Sequence, residues 1–106
     1  MRELVIKRAK SFAGCFGKVH IYIKDAAAAE LDIQGAPCRK LGELKNGEEK
    51  TFLIPTTPVQ VFVIGDASTR DFCVDGVALP AGDQAVRLSG KIHLDPQRGN
   101  PFLFDR

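Results

Sequence analysis

Lys18-Val19-His20-Ile21-Tyr22-Ile23-Lys24 sets Val19, Ile21 and Ile23 on one side of an extended chain and His20, Tyr22 and Lys24 on the other. Successive side chains of a strand point to opposite faces, so this period of two predicts a strand with one buried side. Glu30 to Gln34 repeats the pattern, with Leu31 and Ile33 set against Asp32. Val59 to Ile64 is apolar on both faces, as a central strand covered on both sides requires. Further strands are expected at Leu4–Arg8, Gln84–Leu88, Lys91–Leu94 and Phe102–Phe104. Ten glycines and six prolines interrupt these runs at short intervals, which excludes helices of ordinary length through most of the chain. The one helical possibility is Asp25-Ala26-Ala27-Ala28-Ala29-Glu30, where Asp25 could cap a single turn.

Two dipeptides predict hairpins. Asn46-Gly47 can take positive φ at both turn positions, as a type I′ turn demands, and predicts a hairpin over Arg39–Ile54. In that register Lys45 faces Glu48, Glu43 faces Lys50 and Leu41 faces Phe52, which are favourable cross-strand pairs. Asp75-Gly76 predicts a second hairpin over 72–79, with Val74 opposite Val77 and Phe72 opposite Leu79. The core is expected to contain Phe52, Val61, Val63 and Phe72. About eight short strands in 106 residues predict one all-β domain over 1–106, a single antiparallel β-sandwich, with a small β-barrel as the alternative.

Composition narrows the functional classes. No run approaches the ~20 apolar residues of a membrane span, so no membrane partner is expected. Met1-Arg2-Glu3-Leu4-Val5-Ile6-Lys7-Arg8 lacks the apolar stretch of a secretory signal. Cys15, Cys38 and Cys73 are odd in number and widely spaced, which suits reduced thiols in a cytoplasm. Neither a phosphate loop nor a nucleophile elbow is present, and no cofactor is expected. The cysteines and His20 and His93 do not form the close pairs from which structural metal sites are built, so no metal is expected either.

Three segments carry functional alternatives. Cys15 lies in Phe12-Ala13-Gly14-Cys15-Phe16-Gly17, flanked by Lys10 and Lys18, whose charges would favour a thiolate. A thiol enzyme also needs a base and an orienting group, and the sequence supplies no such third group. Arg2, Lys7, Arg8, Lys10 and Lys18, with Phe12 and Phe16 among them, could neutralise phosphates and stack bases. A formal net charge of +2 argues against nucleic acid as a partner. The outward row His20, Tyr22 and Lys24 is the better recognition surface, since tyrosine is a frequent interface anchor. Arg98, at the tip of a loop bounded by Pro96 and Pro101, is a further candidate contact for an anion.

Residues 30–54 resemble the PEGA-type modules of bacterial proteins. The likeness rests on Glu30-Leu31-Asp32-Ile33-Gln34-Gly35, then Leu41-Gly42-Glu43-Leu44-Lys45-Asn46-Gly47, then Thr51-Phe52-Leu53-Ile54. Those modules carry a Thr-Pro pair where this chain has Glu43-Leu44. The chain also resembles small uncharacterised bacterial β-sandwich proteins. Both likenesses imply a non-catalytic domain and transfer no functional residue. The combined expectation is a binding or assembly module with a protein partner. Self-association as a homodimer is expected through strand edges, at Leu4–Arg8 or Phe102–Phe104, or through the His20–Tyr22 row.

Overall fold

The computed structural model describes residues 1–11, 17–64, 74–93 and 102–105. Among these residues the chain is all strand and turn, with no helix. Accordingly, no described helix is long and apolar enough to cross a membrane. Nine strands are described: β1 (Arg2–Arg8), β2 (Val19–Lys24), β3 (Leu31–Ile33), β4 (Ala36–Leu44), β5 (Glu49–Ile54), β6 (Val59–Ile64), β7 (Val74–Leu79), β8 (Val86–Ile92) and β9 (Phe102–Phe104). They form two open sheets, a four-stranded one in the order β5-β1-β8-β9 and a five-stranded one in the order β3-β4-β2-β6-β7. Neither sheet closes on itself, which corrects the barrel alternative. β1 and β8 run parallel, with Leu4 opposite Val86 and Arg8 opposite Gly90, so the all-antiparallel expectation is corrected too.

The alternation read from the sequence fixes which side chains enter the core. Leu4, Ile6, Ile54, Ile92, Phe102 and Phe104 from the four-stranded sheet form one buried cluster with Val19, Ile21, Ile23, Leu44, Val61, Val63 and Leu79 from the other. Burying an aliphatic or aromatic side chain of this size contributes roughly 1.5–3 kcal/mol. β6 lies between β2 and β7, and its continuous apolar run is buried on both sides: Val61 and Val63 inward, Phe62 and Ile64 outward. Phe52, expected in the core, is half-buried on an edge strand and packs against the core cluster.

Both expected hairpins are corrected. β4 and β5 belong to different sheets, so the 45–48 turn is a corner that carries the chain from one sheet to the other. Glu48 N–H still donates to Lys45 O at 2.9 Å, but only Gly47 has positive φ, at +79°. Positive φ at the third turn residue alone defines type II rather than type I′. Asp75 and Gly76 do not turn at all; β7 runs straight through them, with Gly76 opposite Phe62. A Cβ on Gly76 would sit 3.0 Å from the Phe62 ring, so the glycine provides room for an aromatic neighbour. The two-residue type I′ hairpin lies elsewhere, at Gln34 and Gly35, whose φ values of +52° and +82° join β3 to β4. Asp25 does cap a turn, accepting from Ala27 and Ala28 N–H, but no helix follows.

Two arginines anchor the ends of β1. Arg2 and Arg8 share the inward face with Leu4 and Ile6 and are 5% and 0% exposed. Arg8 donates to Gly17 O and Leu44 O. Arg2 donates to Pro55 O, Thr57 O and Pro80 O, tying the β5–β6 and β7–β8 connections to the first strand.

Candidate functional site

The outer surface of the five-stranded sheet gathers the residues with the most chemistry. β2 contributes His20, Tyr22 and Lys24, because its inward positions are taken by Val19, Ile21 and Ile23. On one flank, β6 sets Ile64 opposite His20 and Phe62 opposite Tyr22. On the other, β4 sets Glu43 opposite His20, Lys40 opposite Tyr22 and Cys38 opposite Lys24.

That second row depends on a β-bulge. Lys40 and Glu43 are three residues apart, so a regular strand would send them to opposite faces. The register of β4 against β2 slips between Ile21 and Tyr22, leaving Leu41 as the extra residue. The slip flips the alternation and brings both charged side chains to the outer surface while Leu41 packs against the core. Glu43 then sits in a nest of bases. It accepts from Lys40 Nζ, lies 3.4 Å from Lys18 Nζ, and is 3.6 Å from His20 Nδ1. The Lys40 hydrogen bond, followed by the Lys40 and Lys18 charges, pulls the Glu43 carboxyl down to about 2 despite partial desolvation. His20 is held below the usual histidine value, first by burial and then by Lys40 and Lys18, with Glu43 opposing. The uncharged form of the imidazole is therefore favoured.

Beside this charged nest lies a second apolar cluster of Ile33, Cys38, Phe62 and Ile64, with Tyr22, Leu31 and Ala36 packed against it. Ile33 belongs to β3, so the β3–β4 hairpin closes over the outward side chains of β6. Its tip residue Gln34 borders a groove of about 270 Å³ whose other walls are Gln60, Phe62 and residues 76–78. Cys38 is fully buried, its Sγ donates to Ala36 O, and burial pushes its thiol above the ordinary cysteine value. Such a thiol is inert. Among the described residues the surface thus offers shape, one imidazole held toward its neutral form and a compensated ion cluster, but no activated nucleophile. Among the described residues no group of three His, Cys, Asp or Glu is arranged to hold a metal ion.

Of the residues singled out from the sequence, His20 and Tyr22 lie together here, half-buried, and Lys24 is exposed at the end of β2. Arg98, Cys15 and Cys73 lie outside the described residues. Arg2 and Arg8, read as possible phosphate contacts, are committed to backbone carbonyls in the interior. Their even spacing with Leu4 and Ile6 was the signal for an inward position. Lys40 and Glu43 escaped the sequence reading; the available signal was the three-residue spacing of Leu41 and Leu44, both directed at the core, which a regular strand cannot produce.

No protein-family model matches this chain, and no curated protein matches it.

Proposed function

We propose that the chain is a β-sandwich that serves as a non-catalytic binding or assembly module, with the outer surface of the five-stranded sheet as its contact surface. The observation that carries this reading is the pairing of the second apolar cluster with an open groove beside it. The cluster itself is buried beneath the β3–β4 hairpin, so what stays open to a ligand is the groove at its margin, where Phe62 forms a wall and Gln60 is exposed. Tyr22 adds an aromatic anchor, and Gln34 and Gln60 place two amides at the rim of the groove, suited to the backbone of an extended peptide. The resemblance of residues 30–54 to PEGA-type modules favours the same non-catalytic role, and the odd, scattered cysteines favour a cytoplasmic setting.

The test is selection of binders from a displayed library of random extended peptides, followed by titration against variants. Peptides that bind the wild type should lose affinity at least about tenfold on Gln60→Arg, whose exposed side chain lines the groove, with the melting temperature unchanged. Binders indifferent to Gln60→Arg, or none above background, would refute the assignment.

A further inference from the structure

The two sheets end in four edge strands, β5 and β9 in one and β3 and β7 in the other. An open edge is a template for another chain, and proteins guard it with shortness, bulges, charge or cover. Three of these edges are guarded. β3 and β9 have three residues each. Where β3 begins, Glu30 N–H donates to Cys38 O at 2.7 Å and the Glu30 carboxylate accepts Lys40 N–H at 3.0 Å. The side chain thus takes the next place on β4, ahead of its bulge. β7 is as long as β5 and its outer edge is likewise unpaired among the described residues, but it lies against β9 of the other sheet, where Asp75 Oδ2 accepts Phe104 N–H at 2.8 Å.

β5 is different. It has six residues, no proline and no bulge, and among the described residues no strand pairs with its outer edge. Thr51 is exposed, and Leu53 is 60% exposed, which makes it one of two large apolar side chains in solvent among the described residues. Its guards are two charges at one end, the exposed Glu49 and the inward-facing Lys50, which is itself drawn toward Glu48.

The ladder to β1 decides how this edge can be used. Arg8 N–H donates to Glu48 O at 2.9 Å, in line with the β1–β5 register. Hydrogen-bonded pairs alternate along an antiparallel ladder, so positions 48, 50, 52 and 54 bond to β1. The N–H and C=O of Glu49, Thr51 and Leu53 therefore point away from the sheet. A two-fold pairing that keeps the outer surfaces together can oppose only odd positions with odd positions. An axis at Lys50 would set two lysines against each other, and an axis at Phe52 would set Glu49 against Pro55, which has no N–H. An axis at Thr51 sets threonine against threonine and Glu49 against Leu53, with about six backbone hydrogen bonds, two for each of three pairs. Threonine pairs are among the favourable cross-strand neighbours.

We propose that β5 pairs antiparallel with β5 of a second copy about a two-fold axis at Thr51, joining two four-stranded sheets into one continuous sheet. The proposal goes beyond the reading above: its contact is an edge of the four-stranded sheet, not the outer surface of the five-stranded one. A strand edge buries less than the ~1,600 Å² of a standard interface, so the dimer is weak, half-formed at tens of micromolar.

Sedimentation velocity from about 5 to about 200 µM spans that range and reads the mass directly. The wild type should rise from 11.6 kDa toward twice that mass. Thr51→Pro removes an N–H that faces away from β1, a position where an edge strand tolerates proline, and should abolish the rise. Position 53 tests the register. Leu53→Lys sets the new ammonium of each copy against Glu49 of the other and should tighten the dimer roughly three- to tenfold at low salt, whereas Leu53→Glu should weaken it by as much. A wild type that stays at 11.6 kDa throughout overturns the proposal, as does an equal effect of lysine and glutamate at position 53. Peptide binding that depends on Gln60 survives either failure, so the two readings are separable.

Discussion

Replacing Arg2 with methionine keeps the aliphatic stem in place and removes all three of its hydrogen bonds, to Pro55 O at 3.1 Å, Thr57 O at 3.3 Å and Pro80 O at 2.8 Å. A hydrogen bond to a charged group contributes about 1.5–3 kcal/mol where water is excluded. Here Thr57 and Pro80 are exposed, so water can reach the vacated carbonyls, and the Thr57 bond is long. Taking about 1 kcal/mol for each bond gives a loss of about 3 kcal/mol for Arg2→Met. Arg2→Ala adds the lost packing of the stem and should cost about 4 kcal/mol. Arg2→Lys keeps one or two of the bonds and should cost about 1–2 kcal/mol. Urea titration at neutral pH measures all three, and an unchanged slope would show that the unfolded state is not the cause. A loss of about 3 kcal/mol corresponds to a fall of more than 10 °C in the melting temperature. A loss below about 1 kcal/mol for Arg2→Met, or lysine no better than methionine, would show that the guanidinium does not join the two connections.

Four shorter tests address the corner turn, the aromatic contact and the two titrating groups of the charged nest. Gly76→Val should destabilise by about 1–3 kcal/mol in thermal unfolding because its side chain would invade the Phe62 ring, and an unchanged melting temperature would mean the ring lies elsewhere. Gly47→Val should cost about 1–2 kcal/mol, since a β-branched residue is strained at φ +79°; a neutral outcome would count against the type II corner. Glu43, whose carboxyl lies at about 2 rather than 4.5, stabilises the fold above about pH 4.5 and loses that contribution as pH falls toward 2. Glu43→Gln should therefore flatten the acid limb of the stability profile, and an identical limb would argue against the Lys40 contact. His20 is displaced the opposite way relative to its charge. With its folded value below 6.5, protonation favours the unfolded chain, so stability falls as pH drops below that value. His20→Gln should remove that decline, which pH-dependent urea titration would reveal.

The strands whose pattern serves a single purpose were legible. β2 and β6 follow the reading of Lys18–Lys24 and Val59–Ile64, because alternation and a double apolar face each have one structural meaning. The turns were less legible, because the same local chemistry serves different geometries. Asn46-Gly47 does turn, but it carries the chain between sheets, and the alternation of Leu41 and Phe52 fits that corner as well as a hairpin. Asp75-Gly76 has the composition of a hairpin, yet packing against Phe62 keeps it extended. Gln34 hid the true type I′ turn, since glutamine is uncommon in the left-handed region. The charged half of the candidate site was hidden by the slip at Leu41, whose trace in the sequence is only the three-residue spacing of Leu41 and Leu44 within a run that also fits a hairpin. Tyr22 and His20 stood out as amphipathic side chains between two lysines, and the apolar cluster that Tyr22 packs against comes from strands remote in sequence.

The parallel pairing of β1 with β8 has a consequence for how the chain acquires its structure. Leu4 finds Val86 only after the intervening chain has been laid out, and β5, its other neighbour, is also remote in sequence. β1, the first of the described strands in chain order, is therefore among the last to be satisfied on both sides. Closing such long loops must precede the contacts that compensate for it, and domains dominated by pairings of this kind fold in milliseconds to seconds rather than microseconds. During that interval β1, with Leu4, Val5 and Ile6 in a row, is an unpaired apolar segment. Glu3 and Lys7 on either side of it act as gatekeepers in that waiting period, a duty that the finished sheet no longer displays.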